Sequence, residues 1–327
     1  MKAGFTARFE HAGRVTAEVP VSGGRSVWQA DQWPATRVSG LTVPAPQDSQ
    51  AVGSDGHTVT ITGTFTEGGV TRTRDFGTFL VTSVAKSAHG EYLTVDADDL
   101  TALVNDHQHP SPVAVSKLTR MADEVSAMLR ADGIGLEVDP HVDRRVPVRE
   151  GYVQGTDRGE TLKELVQAWG VALVPGVGRA MRAVAVHPAE GVLVRELEPV
   201  VIGAELRLER KQVFNHIVVP VADEDYVAEV AQRRGRYGTD IFGWRSLRVD
   251  NSATGRAQAG VLARTELFRA QRRAVTVPVE LVPSWDFKPF EYVSFAVGGR
   301  VYTGHVTGIE ESLNVAESTV VHVGVEV

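Results

Sequence analysis

The most regular hydrophobic pattern in the chain lies in its C-terminal tail. Apolar residues recur at every second position from Val275 to Leu281, which is the period of a β-strand with one buried face. Farther on, Gly298-Gly299 separates short apolar runs at 295–297 and 301–303, which is the signature of a two-residue hairpin. The first hundred or so residues alternate in the same way between glycine-bearing turns. Both ends of the chain are therefore predicted to form β modules.

The middle of the chain has a helical period instead. One helix is predicted from about residue 116 to 130, where apolar residues share one face. A second begins at Asp157, which forms a capping box with Glu160, and ends at Gly170. A long helix follows Asn251-Ser252, which offers an N-cap. The order predicts a mainly β fold with α+β character, in which two small β-barrels flank an α/β domain.

Composition excludes several classes of protein. The 327 residues include no cysteine, which excludes a disulfide framework and thiolate chemistry. The N-terminus has no apolar run typical of a signal peptide, and no window approaches the roughly 18 apolar residues of a membrane-spanning helix. We therefore expect synthesis in a cytoplasm and no membrane insertion.

The formal net charge of −7 is concentrated at the two ends of the chain. Residues 1–104 hold 8 Lys/Arg against 11 Asp/Glu, residues 105–272 hold 23 of each, and residues 273–327 hold 3 against 7. An acidic surface disfavours nucleic-acid binding, which relies on Lys and Arg. It is compatible with a surface that nucleic acid slides past.

Several short motifs suggest catalysis, but their context argues against it. Asp75-Phe76-Gly77 matches the kinase magnesium motif without the lysine and catalytic loop that accompany it, and residues 83–86 match SxxK but leave a strand. Gly176-Val177-Gly178 opens no helix, so no helix N-terminus faces a phosphate. The neighbouring carboxylates of Asp98-Asp99 and Glu310-Glu311 diverge and are expected to be solvated. We predict no catalytic residue, no cofactor and no enzymatic activity.

The histidines do not show the spacing of a metal site. Asp106, His107 and His109 precede two prolines in a linker, where they are poorly placed to share an ion. The remaining histidines, among them His11 and His57, are scattered along the chain. No metal site is predicted.

Aromatic and arginine residues supply the candidates for an interface. Trp28 and Trp33 either pack over an open barrel end or form an exposed aromatic patch. Trp244 lies in an otherwise polar loop that also carries a basic run, and that run is either solvated or docks onto an acidic neighbour. Trp and Arg are enriched at interface centres. The interface candidates are Trp28, Trp33, Arg233, Arg234, Arg236, Phe242 and Trp244.

Five stretches gain weight from their order and spacing. They are DFGTFLVTSV at 75–84, GEYLTVDADDLTALV at 90–104, DRGETLKELVQAWGVALV at 157–174, FNHIVV at 214–219 and LVPSWDFKPFEYVSF at 281–295. In this order they resemble the central hub proteins of phage tails, baseplates and related contractile injection machines, and above all the minor tail proteins of phages that infect actinobacteria. One departure is Glu291, where the family usually has an aspartate two residues after the proline.

The resemblance implies a domain arrangement. Two barrels similar to tail-tube proteins would comprise residues 1–104 and residues 200–222 with 273–327. The α/β domain would comprise residues 105–199 with 223–272. FNHIVV would be the strand that enters the second barrel.

The resemblance also implies a structural role in the virion. The chain would form a homotrimeric hub at the tail tip, assembled in the host cytoplasm, in contact with the distal tail or tube protein, the tape measure and a spike or fibre. DNA would pass through its lumen without specific binding, and an acidic lumen would repel the phosphates. Two alternatives are a carbohydrate-binding module for host attachment, which exposure of Trp28 and Trp33 would favour, and a tail-associated cell-wall hydrolase.

Overall fold

The computed structural model describes residues 2–48, 50–116, 119–186, 194–198, 201–202, 213–221, 224–235 and 237–325. The N-terminal strands are β1 Lys2–His11, β2 Arg14–Val21, β3 Gly23–Gln29, β4 Thr36–Pro44, β5 Thr58–Glu67, β6 Val70–Lys86 and β7 Tyr92–Asp99. The middle of the chain forms α1 Thr101–Asp106, β8 Val113–Ala114, α2 Met121–Ala131, β9 Gly135–Val138, β10 Val153–Gln154, α3 Arg158–Trp169, β11 Val171–Pro175, β12 Ala180–Ala185, β13 Arg195–Glu196 and β14 Val201–Ile202. It continues with β15 His216–Pro220, β16 Val227–Ala231, α4 Thr239–Phe242, β17 Ser246–Arg248 and α5 Arg256–Ala274. The C-terminal strands are β18 Thr276–Leu281, β19 Tyr292–Val297, β20 Arg300–Ser312 and β21 Thr319–Val325.

Strands from both ends of the chain join into one sheet of 13 strands. The 13-residue strand β20 makes the connection, because one of its edges pairs first with β19 and farther along with β3. The prediction of a mainly β fold is confirmed. The two modules predicted as separate barrels share this sheet, and within the described residues its end strands β2 and β14 do not pair with each other to close it.

The middle of the chain forms smaller units around its own cores. Helices α2 and α3 pack with the sheet β11-β12-β9. Helix α5 packs with the sheet β16-β15-β17, where Ile217 and Val219 face Leu262 on the helix. The stretch FNHIVV is predicted to enter the second barrel, but its strand β15 pairs with β16 and β17 instead, because its inward side chains fill the core over α5. No helix in the described part of the chain is long and apolar enough to span a membrane.

The two glycine-bearing motifs from the sequence contact each other. Asp75 accepts hydrogen bonds from the backbone N–H of Gly77, at 2.7 Å, and of Gly178, at 3.1 Å. A side chain on Gly77, whose φ is +104°, would clash with Pro175. The turn at 176–178 therefore binds a carboxylate of the same chain. This contact fixes β6 against the β11–β12 hairpin.

One carboxylate of each adjacent pair is buried, which corrects the expectation that both pairs are solvated. Strand alternation turns Asp99 and Glu311 inward, because successive side chains of a strand point to opposite faces. Asp99 accepts hydrogen bonds from the backbone N–H of Thr36, at 2.9 Å, and of Thr101, at 3.0 Å. Glu311 accepts two from the Arg74 guanidinium, at 2.7 and 3.0 Å. Burial raises the pKa of Glu311 against the opposing effect of Arg74.

Burial of Asp99 is expected to make stability fall as pH rises. Burial raises the pKa of Asp99 from 3.8 to about 6, although its hydrogen bonds oppose the shift. Between these two pKa values the folded state binds more protons than the unfolded state. The contribution of protonated Asp99 to stability is therefore fully present below pH 3.8 and is lost as the pH rises through 6. We expect Asp99 to lower the free energy of unfolding by about 2 kcal/mol from pH 4 to pH 7.

Urea unfolding of the native chain and of Asp99→Asn at four pH values measures this effect. The asparagine does not titrate, so the difference between the two free energies should shrink with rising pH and level off above pH 6. Parallel pH profiles would contradict the assignment to Asp99.

Candidate interaction surface

Two exposed apolar side chains form a ridge at the end of the short helix α4. The side chains of Ile241 and Trp244 are 75% and 61% exposed, whereas Phe242 between them turns inward and meets the buried Tyr237 ring edge to face, at 5.8 Å between centroids. The alternation places two large apolar side chains in solvent on one loop. Exposed apolar residues grouped in this way are typical of a protein contact site. We call Ile241 and Trp244 the α4 ridge.

Exposed arginines adjoin the ridge. Arg233 and Arg234 are exposed, and the carbonyl of Arg233 accepts a hydrogen bond from the backbone N–H of Asp240 on α4, at 3.3 Å. Gly238 permits this approach, because a side chain there would clash with the backbone of Arg233 and Arg234. Arg236 lies outside the described residues. The ridge and the described part of the basic run thus belong to one surface.

A buried asparagine holds the loop that carries the ridge. Asn215 is 0% exposed, and its amide donates to the carbonyls of Tyr237 and Gly243, both at 2.8 Å. Its side-chain oxygen accepts from the backbone N–H of Arg245 at 2.9 Å. The three bonds fasten both ends of α4 to the start of β15. The sequence shows this asparagine in FNHIVV, but local pattern does not show that its partners lie more than twenty residues away.

Trp244 is oriented by its own neighbours. Its ring meets His216 edge to face, at 5.0 Å between centroids. His216 in turn contacts Ser246 through Nδ1, at 2.8 Å, and Glu229 through Nε2, at 3.3 Å. The indole is therefore exposed but rests on a hydrogen-bonded imidazole, which limits the entropy that a partner must remove on binding.

The other two tryptophans among the interface candidates do not form an exposed pair. Trp28 is 5% exposed and meets Phe290 edge to face in the core, at 5.2 Å between centroids. Trp33 is half-buried against the helical core, and its Nε1 donates to Asn105 at 3.2 Å. The prediction that places these rings at an interface is corrected for Trp28, because strand β3 turns its side chain inward. Trp28 packs in the core, as the other alternative has it.

A cleft of about 900 Å³ lies between the large sheet and the α/β unit. Three of its carboxylates, Asp139, Asp286 and Glu311, are paired with arginines. Burial alone would raise the pKa of Asp139, but hydrogen bonds from His141 and Arg182 outweigh it and hold that pKa below its usual range. A carboxylate whose pKa is lowered by an arginine partner is a poor proton donor at neutral pH, and Asp139 and Asp286 are of this kind.

Solved structures share the architecture that these contacts hold together. The 43 kDa tail protein of prophage MuSo2 from Shewanella oneidensis aligns with a TM-score of 0.64 and 14% identity over 97% of this chain and 98% of its own. The chain has the fold of phage tail proteins. A tail protein from Neisseria meningitidis MC58 shares that fold with a TM-score of 0.66 and 12% identity, over 99% of this chain and 97% of its own.

A component of the Escherichia coli type VI secretion system shares the tail-protein fold as well. It aligns with a TM-score of 0.53 and 13% identity over 97% of this chain and 76% of its own, and it is described as similar to the T4 bacteriophage tail proteins gp27 and gp5. No family model matches the sequence, and no curated protein sequence matches it. The resemblance to phage tail proteins seen in the order of five short stretches is confirmed at the level of the fold.

The histidines of the linker have separate partners in this fold. Nδ1 of His107 contacts Asp132 at 2.9 Å, whereas Nε2 of His109 contacts Gln154 at 3.0 Å. The two rings are thus held by different elements and do not face a common ion.

Proposed function

We propose that the chain is a structural component of a phage tail tip, where three copies form a hub that joins the tube and tape measure to a spike or fibre. The observation that carries this proposal is the alignment of nearly the whole chain with nearly the whole of two tail proteins, one of them from a prophage. A likeness in fold over nearly the full length of both chains supports the same kind of role. The role is structural, with no catalytic step.

The position within the tail is supported by the type VI secretion component, which is described as similar to the T4 tail proteins gp27 and gp5. Two β modules in one chain would let three copies present six similar units to a sixfold tube and threefold symmetry to a spike. The excess of Asp and Glu over Lys and Arg in residues 1–104 and 273–327 would keep DNA phosphates from adhering to the channel.

Mass measurement in solution and negative-stain imaging test the hub. The expected result is a species of three times the 35.3 kDa chain mass, seen as a ring with a central hole, either alone or with a neighbouring tail protein. Tails in which antibodies against the chain label no tip, together with a monomer that forms no ring, would overturn the proposal. Release of wall polymer by the protein would instead favour the hydrolase.

The α4 ridge is proposed as the contact with another tail protein. In a phage that lacks this gene, supply of the Trp244→Ala, Ile241→Ser double variant is expected to lower the infective titre at least tenfold, because the apolar anchors of an interface carry most of its binding energy. Circular dichroism and thermal unfolding should match the native chain, since both side chains are exposed.

Val301→Ser is the matched control for the ridge, because Val301 is an apolar residue that is 73% exposed on β20, a strand of the large sheet. It should restore the full titre. Full titre with the double variant would remove the ridge from the proposal and leave the hub itself untouched.

A further inference from the structure

Two histidines that lie far apart in the sequence face each other across a strand pair. Strands β1 and β5 are antiparallel, and their register ends with Glu10 opposite Thr58. The next position therefore sets His11 against His57. Their imidazoles lie parallel at 4.5 Å between centroids and 10° between planes.

An aspartate completes the cluster from the same loop as His57. Oδ1 of Asp55 lies 2.9 Å from Nδ1 of His57, and Gly56, at φ +87°, turns the chain between them. Gly53 leaves the space that this arrangement needs, because a side chain there would clash with the Asp55 carboxylate and crowd the His57 ring. One ligand atom from each of the three residues lies within 4.8 Å of the others.

The His57 ring is buried, with 3% of the residue exposed. Its Nδ1 faces the Asp55 carboxylate. His11 and Asp55 are exposed at the edge of the same cluster, so an ion in solution can reach the ring from that side.

We propose that His11, Asp55 and His57 bind a divalent transition-metal ion of the Zn²⁺ class. Two imidazoles and one carboxylate match the ligands that Zn²⁺ takes, whereas Mg²⁺ and Ca²⁺ prefer oxygen ligands. Neighbouring ligands of a tetrahedral zinc lie about 3.3 Å apart at bond lengths of about 2.0 to 2.1 Å. The separation of 2.9 Å between His57 Nδ1 and Asp55 Oδ1 is close to that value, so an ion can replace the proton that they share.

His11 supplies the third ligand after a rotation of its exposed ring, because two parallel imidazoles do not point at one ion. The fourth position is then open to water or to a side chain of a neighbouring molecule. The ion would tie the end of the β1–β2 hairpin to the loop before β5. This site is independent of the proposed function, since it rests on side chains of a single chain.

Titration of tag-free, EDTA-dialysed protein with Co²⁺ and Zn²⁺ tests the site. Co²⁺ is expected to give the visible absorption of a low-symmetry complex at one equivalent per chain, and Zn²⁺, followed with a chromogenic chelator, should displace it with micromolar affinity. Millimolar Mg²⁺ should not compete. Bound Zn²⁺ should also raise the thermal midpoint, because an ion that binds only the folded state stabilises it.

Variants assign the ligands. His11→Ala removes an exposed side chain and should fold normally, yet it should weaken Zn²⁺ binding at least tenfold, and Asp55→Ala should do the same. His57→Ala should abolish binding. His107→Ala is the matched control, because His107 forms the same Nδ1 contact with an aspartate, at 2.9 Å, without a second histidine. Native affinity in His11→Ala, or no binding below about 100 micromolar in the native chain, would overturn the proposal.

Discussion

Replacing Asp132 with alanine is expected to destabilise the protein by about 3 to 5 kcal/mol, because it leaves a buried guanidinium without its counter-ion. Arg158 is 1% exposed, and its Nη2 lies 2.8 Å from Oδ2 of Asp132. The same nitrogen donates to the carbonyl of Met128 at 2.9 Å. The ion pair joins the first turn of α3 to the end of α2, so the loss should unfold the helical unit. Chemical denaturation followed by circular dichroism measures it.

The comparison variant is Asp123→Ala, which removes an exposed carboxylate from α2 and should change stability by less than about 0.5 kcal/mol. A double variant, Asp132→Leu with Arg158→Met, should recover most of the loss, since apolar side chains can replace a buried ion pair at little cost. An Asp132→Ala protein as stable as Asp123→Ala would show that water reaches Arg158 and pairs with it.

Local signals in the sequence predict the ends of α3 correctly. Asp157 accepts a hydrogen bond from the backbone N–H of Glu160 at 2.9 Å, and Gly170 ends the helix at φ +78°. These features act within one turn, so the residues that create them are neighbours in the chain. The first turn of a helix can therefore be predicted from its own sequence.

The start of α5 shows where such signals fail. Asn251-Ser252 has the composition of an N-cap, yet the helix begins at Arg256 after Gly255. Asn251 instead donates to the carbonyl of Glu164 at 2.9 Å and joins α3 to the loop before α5. A side chain that can cap a helix can equally bind a distant backbone, and only the tertiary packing decides between them.

The candidate sites differ in the same way. Exposure of Trp244 could be predicted, because the loop around it is polar. The buried position of Trp28 depends on which face β3 turns to the core, and the His11–His57 pair depends on the register of β1 with β5. Strand pairing across long separations is not encoded in local periodicity, so the sequence alone shows these histidines as scattered.

Loss of the buried Asn215 side chain, which holds the loop that carries the α4 ridge, is the second change expected to have a large effect on stability. Asn215→Ala is expected to lower the free energy of unfolding by about 3 kcal/mol, because it removes three buried hydrogen bonds, to the carbonyls of Tyr237 and Gly243 and from the N–H of Arg245. Asn215→Asp keeps the shape but sets a carboxylate against the two carbonyls, so it should be at least as destabilising. Urea unfolding gives the free energies, with Asn314→Ala as the control, since the Asn314 side chain accepts one local bond, from Ala316, at 3.0 Å.

Amide hydrogen exchange shows whether Asn215 holds the α4 loop or acts as an ordinary part of the core. If Asn215 holds the α4 loop, exchange in Asn215→Ala should accelerate first at residues 237–245, while β15 and α5 keep their protection through the apolar core that they share. The α4 ridge would then lose its fixed shape before the protein unfolds, and the variant should lower the infective titre even at temperatures where it stays folded. Uniform acceleration across β15, α5 and the loop would instead make Asn215 a part of the core, and the ridge would need another support.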